Sequence, residues 1–141
     1  MADYPDKIAL EIVTPEKLVL SREVDDVMLP SVQGYMGVLP GHAPLLARLE
    51  AGELSYLEGG QRKFLAVSGG YAEVLRGSVS VLARTSEPAE EIDVDRAERA
   101  REQAESVLEG NDDAAAHKLQ RAEVALKRAL SRIRVHQRLT R

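Results

Sequence analysis

Short apolar runs that alternate with polar positions fill the first 85 residues of the chain. Ile8, Leu10 and Ile12 form the first such run, and Val79, Val81 and Ala83 the last. Turn-forming residues separate the runs, at Thr14-Pro15-Glu16, Pro30, Gly59-Gly60, Ser68-Gly69-Gly70 and Gly77. Apolar and polar residues that alternate between turns rich in Gly and Pro predict antiparallel strands with one buried face. The pattern therefore predicts an antiparallel β-sandwich or barrel of roughly 85 residues.

After residue 86 the apolar period becomes helical. Two stripes follow helical spacing, one formed by Ala97, Ala100, Ala104, Val107 and Leu108, and the other by Ala115, Leu119, Ala122, Leu126, Ala129, Leu130 and Ile133. Gly110-Asn111-Asp112 lies between them, and we expect it to end the first helix and cap the second. The tail is thus predicted to be a two-helix antiparallel hairpin. Its seam is rich in Ala, which indicates either weak docking of a detachable arm or simply close helix packing.

The distribution of charge divides the chain further. Residues 1–85 carry 11 acids and 8 bases, residues 86–113 carry 11 acids and 3 bases, and residues 114–141 carry 1 acid and 8 bases. The net charge of -4 conceals this contrast. Oppositely charged helices indicate two elements that lie against each other, or a basic helix with an acidic partner elsewhere.

Candidate chemistry is sparse. The chain has no Cys, no apolar run of the roughly 20 residues that span a bilayer, and a start, MADYPDKIALEI, unlike a signal or transit peptide. No phosphate-binding loop follows the glycines, and His42, His117 and His136 stand too far apart to predict a metal site. We therefore expect a noncatalytic protein without a metal. A soluble adaptor or nucleic-acid-binding module, using the basic C-terminal helix, is the alternative.

Six motifs in order resemble one known family, the epsilon subunits of F-type ATP synthases. They are LEIVTPE, LPSVQGYMGVLPGHAPLLARLEAGEL, LAVSGGYAEV, VSVLA, IDVDRA and QRAEVALKRALSRIRV. The resemblance implies an α+β protein, with a ten-stranded β-sandwich docking domain over residues 1–86 and a mobile regulatory hairpin over residues 87–141. It also implies a noncatalytic rotor subunit that couples the catalytic head to the ion-translocating ring during proton-driven ATP synthesis and brakes ATP hydrolysis.

The resemblance further implies the partners and location of the protein. The expected partners are the gamma subunit, the c-subunit ring, and the alpha and beta subunits reached by an extended C-terminal helix. Contact with the membrane would occur only through the complex, at the cytoplasmic face of the bacterial plasma membrane. No nucleic acid is expected.

Residues 34–52 hold four glycines, two prolines and one histidine among apolar side chains, so their path is narrowly specified. By the resemblance, Tyr35, Pro40 and His42 are predicted to contact the rotor, through a segment stiff enough to transmit torque. Several relatives carry an acidic residue in place of Tyr35, so aromatic packing would replace a salt bridge there. The alternative for Pro40 and His42 is a sandwich corner that bonds its own backbone.

The hairpin also resembles family members that bind regulatory ATP through an I-D-x-x-R-A motif. Here the motif is Ile92-Asp93-Val94-Asp95-Arg96-Ala97. The resemblance implies ATP contacts at Glu87, Asp93, Arg96, Arg128 and Arg132, although no cofactor is required. Gln103 replaces an arginine found in strong binders. In the alternative interpretation, Asp93 is only a helix cap and the arginines are solvated.

Overall fold

The computed structural model describes residues 5–110 and 115–140, in which eight strands precede two helices. The strands are β1 (Ile8–Val13), β2 (Leu18–Val24), β3 (Asp26–Ser31), β4 (Gly34–Val38), β5 (Leu45–Arg48), β6 (Gly52–Glu58), β7 (Gln61–Val74) and β8 (Ser78–Pro88). The helices are α1 (Val94–Gly110) and α2 (Ala116–Gln137), with single 3-10 turns at Ala89–Glu91 and Arg138–Thr140. The predicted connection at Asn111 and Asp112 lies outside the described residues.

The strands hydrogen-bond in the order β2-β1-β8-β7-β6-β3-β4, and β5 pairs with β7. Among the described strands all of the pairings are antiparallel except one, because β1 runs parallel to β8. The prediction of a wholly antiparallel sandwich is wrong at this pair. Parallel neighbours need a long connection, and here the whole intervening domain separates the first strand from the last.

The expected count of ten strands is also too high, and β7 accounts for part of the difference. Ser68-Gly69-Gly70 lies inside this strand of 14 residues and does not end it. The register with β8 is the same on both sides, from Ser68 opposite Thr85 to Gly70 opposite Ala83. Residues before the glycines also pair with β6, and residues after them pair with β5. The glycines, both at positive φ, therefore bend one strand as it passes between partners.

The sandwich encloses a core of its own. Its buried aliphatic side chains come from the strands and the residues between them, and all lie between Ile8 and Ala83. Leu29, Leu54 and Val81 are completely buried there. The alternation seen in the sequence supplies these inward-facing positions, so the sandwich does not need the helices to bury its core.

The hairpin follows directly on β8, which continues to Pro88. α1 packs mainly against α2, and its buried side chains are Ala97 and Ala104. α2 contributes the buried Ala122 and Ala129, and it also packs against β6 and β7. The alanine-rich seam is therefore present, and α2 is the helix that joins the hairpin to the sandwich.

Candidate functional site

A cavity of about 620 Å³ lies where β8 leads into α1, and α2 closes one side of it. Four of the five predicted ATP contacts line this cavity: Glu87, Asp93, Arg96 and Arg132. Lys17 and Arg84 add two cations, and Glu16 and Glu91 add two carboxylates. We call it the helix-start cavity. It brings cations from the sandwich and from both helices to one place, where a phosphorylated ligand could bind.

Hydrogen bonds within the helix-start cavity set its geometry. Asp93 caps α1, because its Oδ1 accepts a hydrogen bond from the Arg96 backbone N–H at 3.1 Å. Arg132 donates from Nε to Oε1 of Glu87 at 2.5 Å, which ties α2 to β8. A ligand that took the Arg132 guanidinium would therefore have to compete with Glu87.

Arg128, the fifth predicted ATP contact, does not line the helix-start cavity. It lines a neighbouring cavity of about 370 Å³ between α2 and the sandwich. Arg128 and Arg132 share a helix face, but four residues of α-helix rise about 6 Å, which is enough to place the two side chains in different cavities. Gln103, the departure noted above, is exposed and lines neither cavity.

A second ion pair joins the hairpin to the sandwich from the 3-10 turn that follows α2, and the sequence analysis missed it. Arg138 donates from Nε to Oε2 of Glu53 at 3.0 Å, and its guanidinium carbon lies 4.5 Å from the centre of the Phe64 ring. The Glu53 side chain is only 9% exposed, whereas that of Arg138 is 36% exposed, so the carboxylate is the poorly hydrated partner. No local signal could have revealed it, because 85 positions separate its partners.

A small apolar cluster lies beside this ion pair. Val135 of α2 is fully buried and packs with Ala66, Ala89 and Ile92, and Phe64 covers the cluster. Among the described residues, the hairpin is thus held on the sandwich by one such cluster and by two ion pairs, Arg132 to Glu87 and Arg138 to Glu53.

The predicted rotor contacts separate into two places. Pro40 and His42 lie in the β4–β5 connection, where the His42 backbone N–H donates to the Leu39 carbonyl and Gly41 N–H donates to Arg76. Tyr35 lies toward the other end of β4, about 10 Å of strand from Val38. Its hydroxyl accepts a hydrogen bond from the Glu53 N–H at 3.2 Å, next to the Arg138 ion pair.

The outer face of β5, β7 and β8 carries an apolar patch that the sequence analysis also missed. Tyr71 and Leu82 are directly paired across the strands and are 51% and 58% exposed. Leu46 of β5 is 67% exposed and pairs with Glu73 of β7. Glu73 follows Tyr71 by two residues on the same strand, so both face outward. We call Leu46, Tyr71 and Leu82 the outer-face patch. Strand alternation predicts that such positions are polar, and their apolar side chains indicate a covered surface.

Two family models match the chain in tandem. Residues 7–89 match the β-sandwich domain of the ATP synthase delta/epsilon chain, and residues 90–137 match its long α-helix domain. The chain belongs to the ATP synthase delta/epsilon chain family. The boundary between the two matches falls just after β8, which ends at Pro88.

Close relatives in this family are bacterial epsilon chains. The chain is 52% identical to the ATP synthase epsilon chain of Herpetosiphon aurantiacus over 128 residues, covering 91% of this chain and 93% of the relative. It is 50% identical to that of Syntrophobacter fumaroxidans over 130 residues, covering 92% and 96%. An epsilon chain is a noncatalytic subunit of ATP synthase, as the sequence predicted. These relatives give no support to the adaptor or nucleic-acid alternative.

A solved structure agrees with this assignment. A chain of the Euglena gracilis mitochondrial ATP synthase, in the OSCP/F1/c-ring assembly, superposes with a TM-score of 0.79 at 27% identity, covering 99% of this chain and 85% of that chain. As part of ATP synthase, the chain is peripheral to a membrane complex. Neither α1 nor α2, within the described parts of the chain, has the length and apolarity of a membrane span.

Proposed function

We propose that this epsilon chain couples the catalytic head of a bacterial F-type ATP synthase to its proton-translocating ring, and that its hairpin brakes ATP hydrolysis. The proposal rests on the different ways in which the sandwich and the hairpin are stabilised. The sandwich has a closed aliphatic core, whereas in the part of the chain that the structure describes the hairpin is fixed by an alanine seam, one small cluster and two ion pairs. A rigid base with a weakly held arm suits a rotor subunit that regulates.

The outer-face patch suits the gamma subunit as its partner. Leu46, Tyr71 and Leu82 lie on the regular strands of the sandwich, so little conformational entropy would be lost when they are covered. Aromatic and aliphatic side chains at the centre of an interface contribute most of its binding energy. Assembly with gamma is therefore proposed to depend on this patch.

The c-subunit ring is proposed to contact the end of the sandwich that holds Pro40 and His42. Exposed Leu39 in the β4–β5 connection and exposed Leu75 beside the β7–β8 turn give this end an apolar surface. The bond from Gly41 N–H to the Arg76 carbonyl, at 2.7 Å, fixes the two connections to each other. Tyr35, at the other end of β4, would then contact a different part of the rotor.

In the braking state the hairpin would leave the sandwich and reach the alpha and beta subunits, at the cytoplasmic face of the bacterial plasma membrane. α2 carries seven cations and one acid with its flanking residues through Arg138, and acidic partner surfaces would complement this charge. Release would break the Glu87 and Glu53 ion pairs, which the new partners would replace.

ATP is proposed to regulate this change by binding in the helix-start cavity. Glu87 on β8, Arg96 on α1 and Arg132 on α2 would be joined by one ligand, so ATP would favour the docked hairpin. Arg128 would contribute only if its side chain turned toward this cavity. The Asp93 cap orients the start of α1, whether or not ATP is bound.

Truncation tests the brake. A chain that ends at Ile92 keeps all eight strands and the sandwich core. Assembled into ATP synthase, it is expected to join the complex in normal amount and to raise the ATP hydrolysis rate several-fold over the full chain. Normal assembly with an unchanged hydrolysis rate would contradict the braking role.

Thermal unfolding of the full chain tests ATP binding. Saturating ATP is expected to raise the melting temperature by about 5 °C, since a ligand that binds only the folded state stabilises it. Arg132→Gln should remove this rise, whereas Arg99→Gln, an exposed change on α1 outside the cavity, should preserve it. If millimolar ATP leaves the wild-type melting temperature unchanged, the ATP proposal is wrong.

A further inference from the structure

The neighbouring cavity of about 370 Å³, between the sandwich and α2, shares Arg84 with the helix-start cavity but none of its other lining residues. Four cations from three elements line it: Arg48 of β5, Arg84 of β8, and Lys127 and Arg128 of α2. Glu50 is the single carboxylate among its lining residues. We call it the interdomain cavity.

The four cations of the interdomain cavity have no ion-pair partner among the described residues. Elsewhere on the sandwich and α2, cations such as Arg62, Arg132 and Arg138 each lie against a carboxylate. Like charges gathered around one concave surface repel one another and attract anions. The docking of α2 adds Lys127 and Arg128 to the two cations already on the sandwich. Arg48, Arg84 and Lys127 are exposed and Arg128 is half-buried, so this excess of positive charge is accessible to an anion from solvent.

Gly69 and Gly70 form part of the lining of the interdomain cavity. The Arg84 side chain lies over Gly69, with its Cδ 3.4 Å from where a Cβ would stand on that glycine. Tyr71 and Val124, each about half exposed, form apolar walls. Apolar walls with a few convergent polar groups, in a volume above about 300 Å³, are typical of small-ligand sites.

We propose that the interdomain cavity binds a compact phosphorylated anion, which Arg48 and Arg84 hold from the sandwich and Lys127 and Arg128 hold from α2. Guanidinium groups bind phosphate oxygens in pairs, and the Lys127 ammonium adds a point charge. Because the ligand contacts both parts of the chain, its binding stabilises the docked hairpin. The site does not depend on ATP binding in the helix-start cavity, which Arg48 and Lys127 do not line.

Calorimetric titration of the full chain with inorganic pyrophosphate at low ionic strength tests the proposal. We expect one saturable site, and we expect Arg48→Gln and Lys127→Gln each to weaken the affinity about tenfold, as the loss of one charge-assisted contact implies. Arg99→Gln removes the same charge from an exposed position on α1 outside both cavities, and it should change the affinity less than about twofold. Thermal melts without pyrophosphate verify that each variant is folded.

Hydrogen exchange gives a second readout. Pyrophosphate should slow amide exchange along α2 in the wild-type chain and should not do so in Arg48→Gln, although Arg48 lies on the sandwich. Binding that survives Arg48→Gln but is lost in Arg132→Gln would place the anion in the helix-start cavity and overturn the proposal. So would the absence of binding at about 10 mM pyrophosphate, a concentration that would detect even a weak site.

Discussion

The sandwich and the hairpin are folded by different means. In the sandwich, aliphatic side chains such as Leu29 and Leu54 are completely buried in one continuous core. In the hairpin, the buried side chains are mostly alanines, with Val135 as the one large buried residue of α2 in the described part of the chain. Since hydrophobic stabilisation follows the apolar area buried, the sandwich holds most of the stability. We therefore expect that the sandwich stays folded when the hairpin is undocked.

Replacing a glycine with alanine should lower the free energy of unfolding far more in the sandwich than in the hairpin, and this is the largest effect that we predict. Gly70→Ala in β7 would place a Cβ 1.9 Å from the Leu82 carbonyl oxygen, at a φ of +103°. We expect it to lower the free energy of unfolding by about 4 kcal/mol, since the backbone of two strands would have to move. Urea unfolding measures the effect.

Gly110→Ala at the end of α1 is the matched control, because a Cβ there meets nothing within 4 Å. Its effect should stay within about 1 kcal/mol. Equal losses for the two variants would contradict the view that the sandwich carries the stability.

Val135→Ala should loosen the hairpin and leave the sandwich folded. The change removes two buried carbons from the cluster with Ala66 and Ile92, about 1.6 kcal/mol of transfer free energy. Hydrogen exchange should become faster along α2 while the core strands stay protected. Gln120→Ala, at an exposed position on α2 outside both cavities, should have little effect on the exchange rates. Faster exchange throughout the sandwich would show that the two regions unfold together.

Arg138→Gln should weaken the same docking by about 1 kcal/mol, because it leaves the poorly hydrated Glu53 carboxylate without its partner. The Phe64 ring would lose its cation at the same time. Arg121→Gln, on the exposed face of α2, is the control that removes equal charge. A double-mutant cycle with Glu53→Gln measures the coupling, and a coupling near zero would mean that the ion pair does not hold the arm.

The smallest effect that we predict is a loss of stability of the sandwich at alkaline pH. Burial raises the pKa of Tyr56 above its usual value of 10.0, so the folded chain keeps the phenol proton to higher pH than the unfolded chain does. Stability is therefore lost as the pH rises above about 10. The pKa of Lys7 is also raised, by its hydrogen bond to Asp25, and acts in the same direction.

Tyr56→Phe should make the urea midpoint fall less steeply above pH 10. Exchange in α2 relative to the core should not change with this variant. An alkaline decline as steep as in the wild-type chain would assign the loss to other groups.

Local pattern by itself predicted that strands precede two helices, although not the number of strands, and six short motifs indicated the family. Alternation at Ile8, Leu10 and Ile12 predicted a half-buried strand, and the alanine stripes predicted the hairpin, because both periods arise between residues close in the chain. The motif Ile92 to Ala97 likewise predicted a cap at Asp93 as one interpretation, and the cap is present.

Tertiary structure alone decided how these elements meet. In the folded chain β1 pairs in parallel with β8, and β7 continues through Gly69 and Gly70. Glu53 forms an ion pair with Arg138, and Arg128 and Arg132 line two different cavities. Each of these depends on groups distant in the chain or on a displacement of a few ångströms along a helix. The spacing of apolar residues shows which face of a strand or helix is buried. The register of a strand, and the element that packs against its buried face, depend on how the whole chain packs.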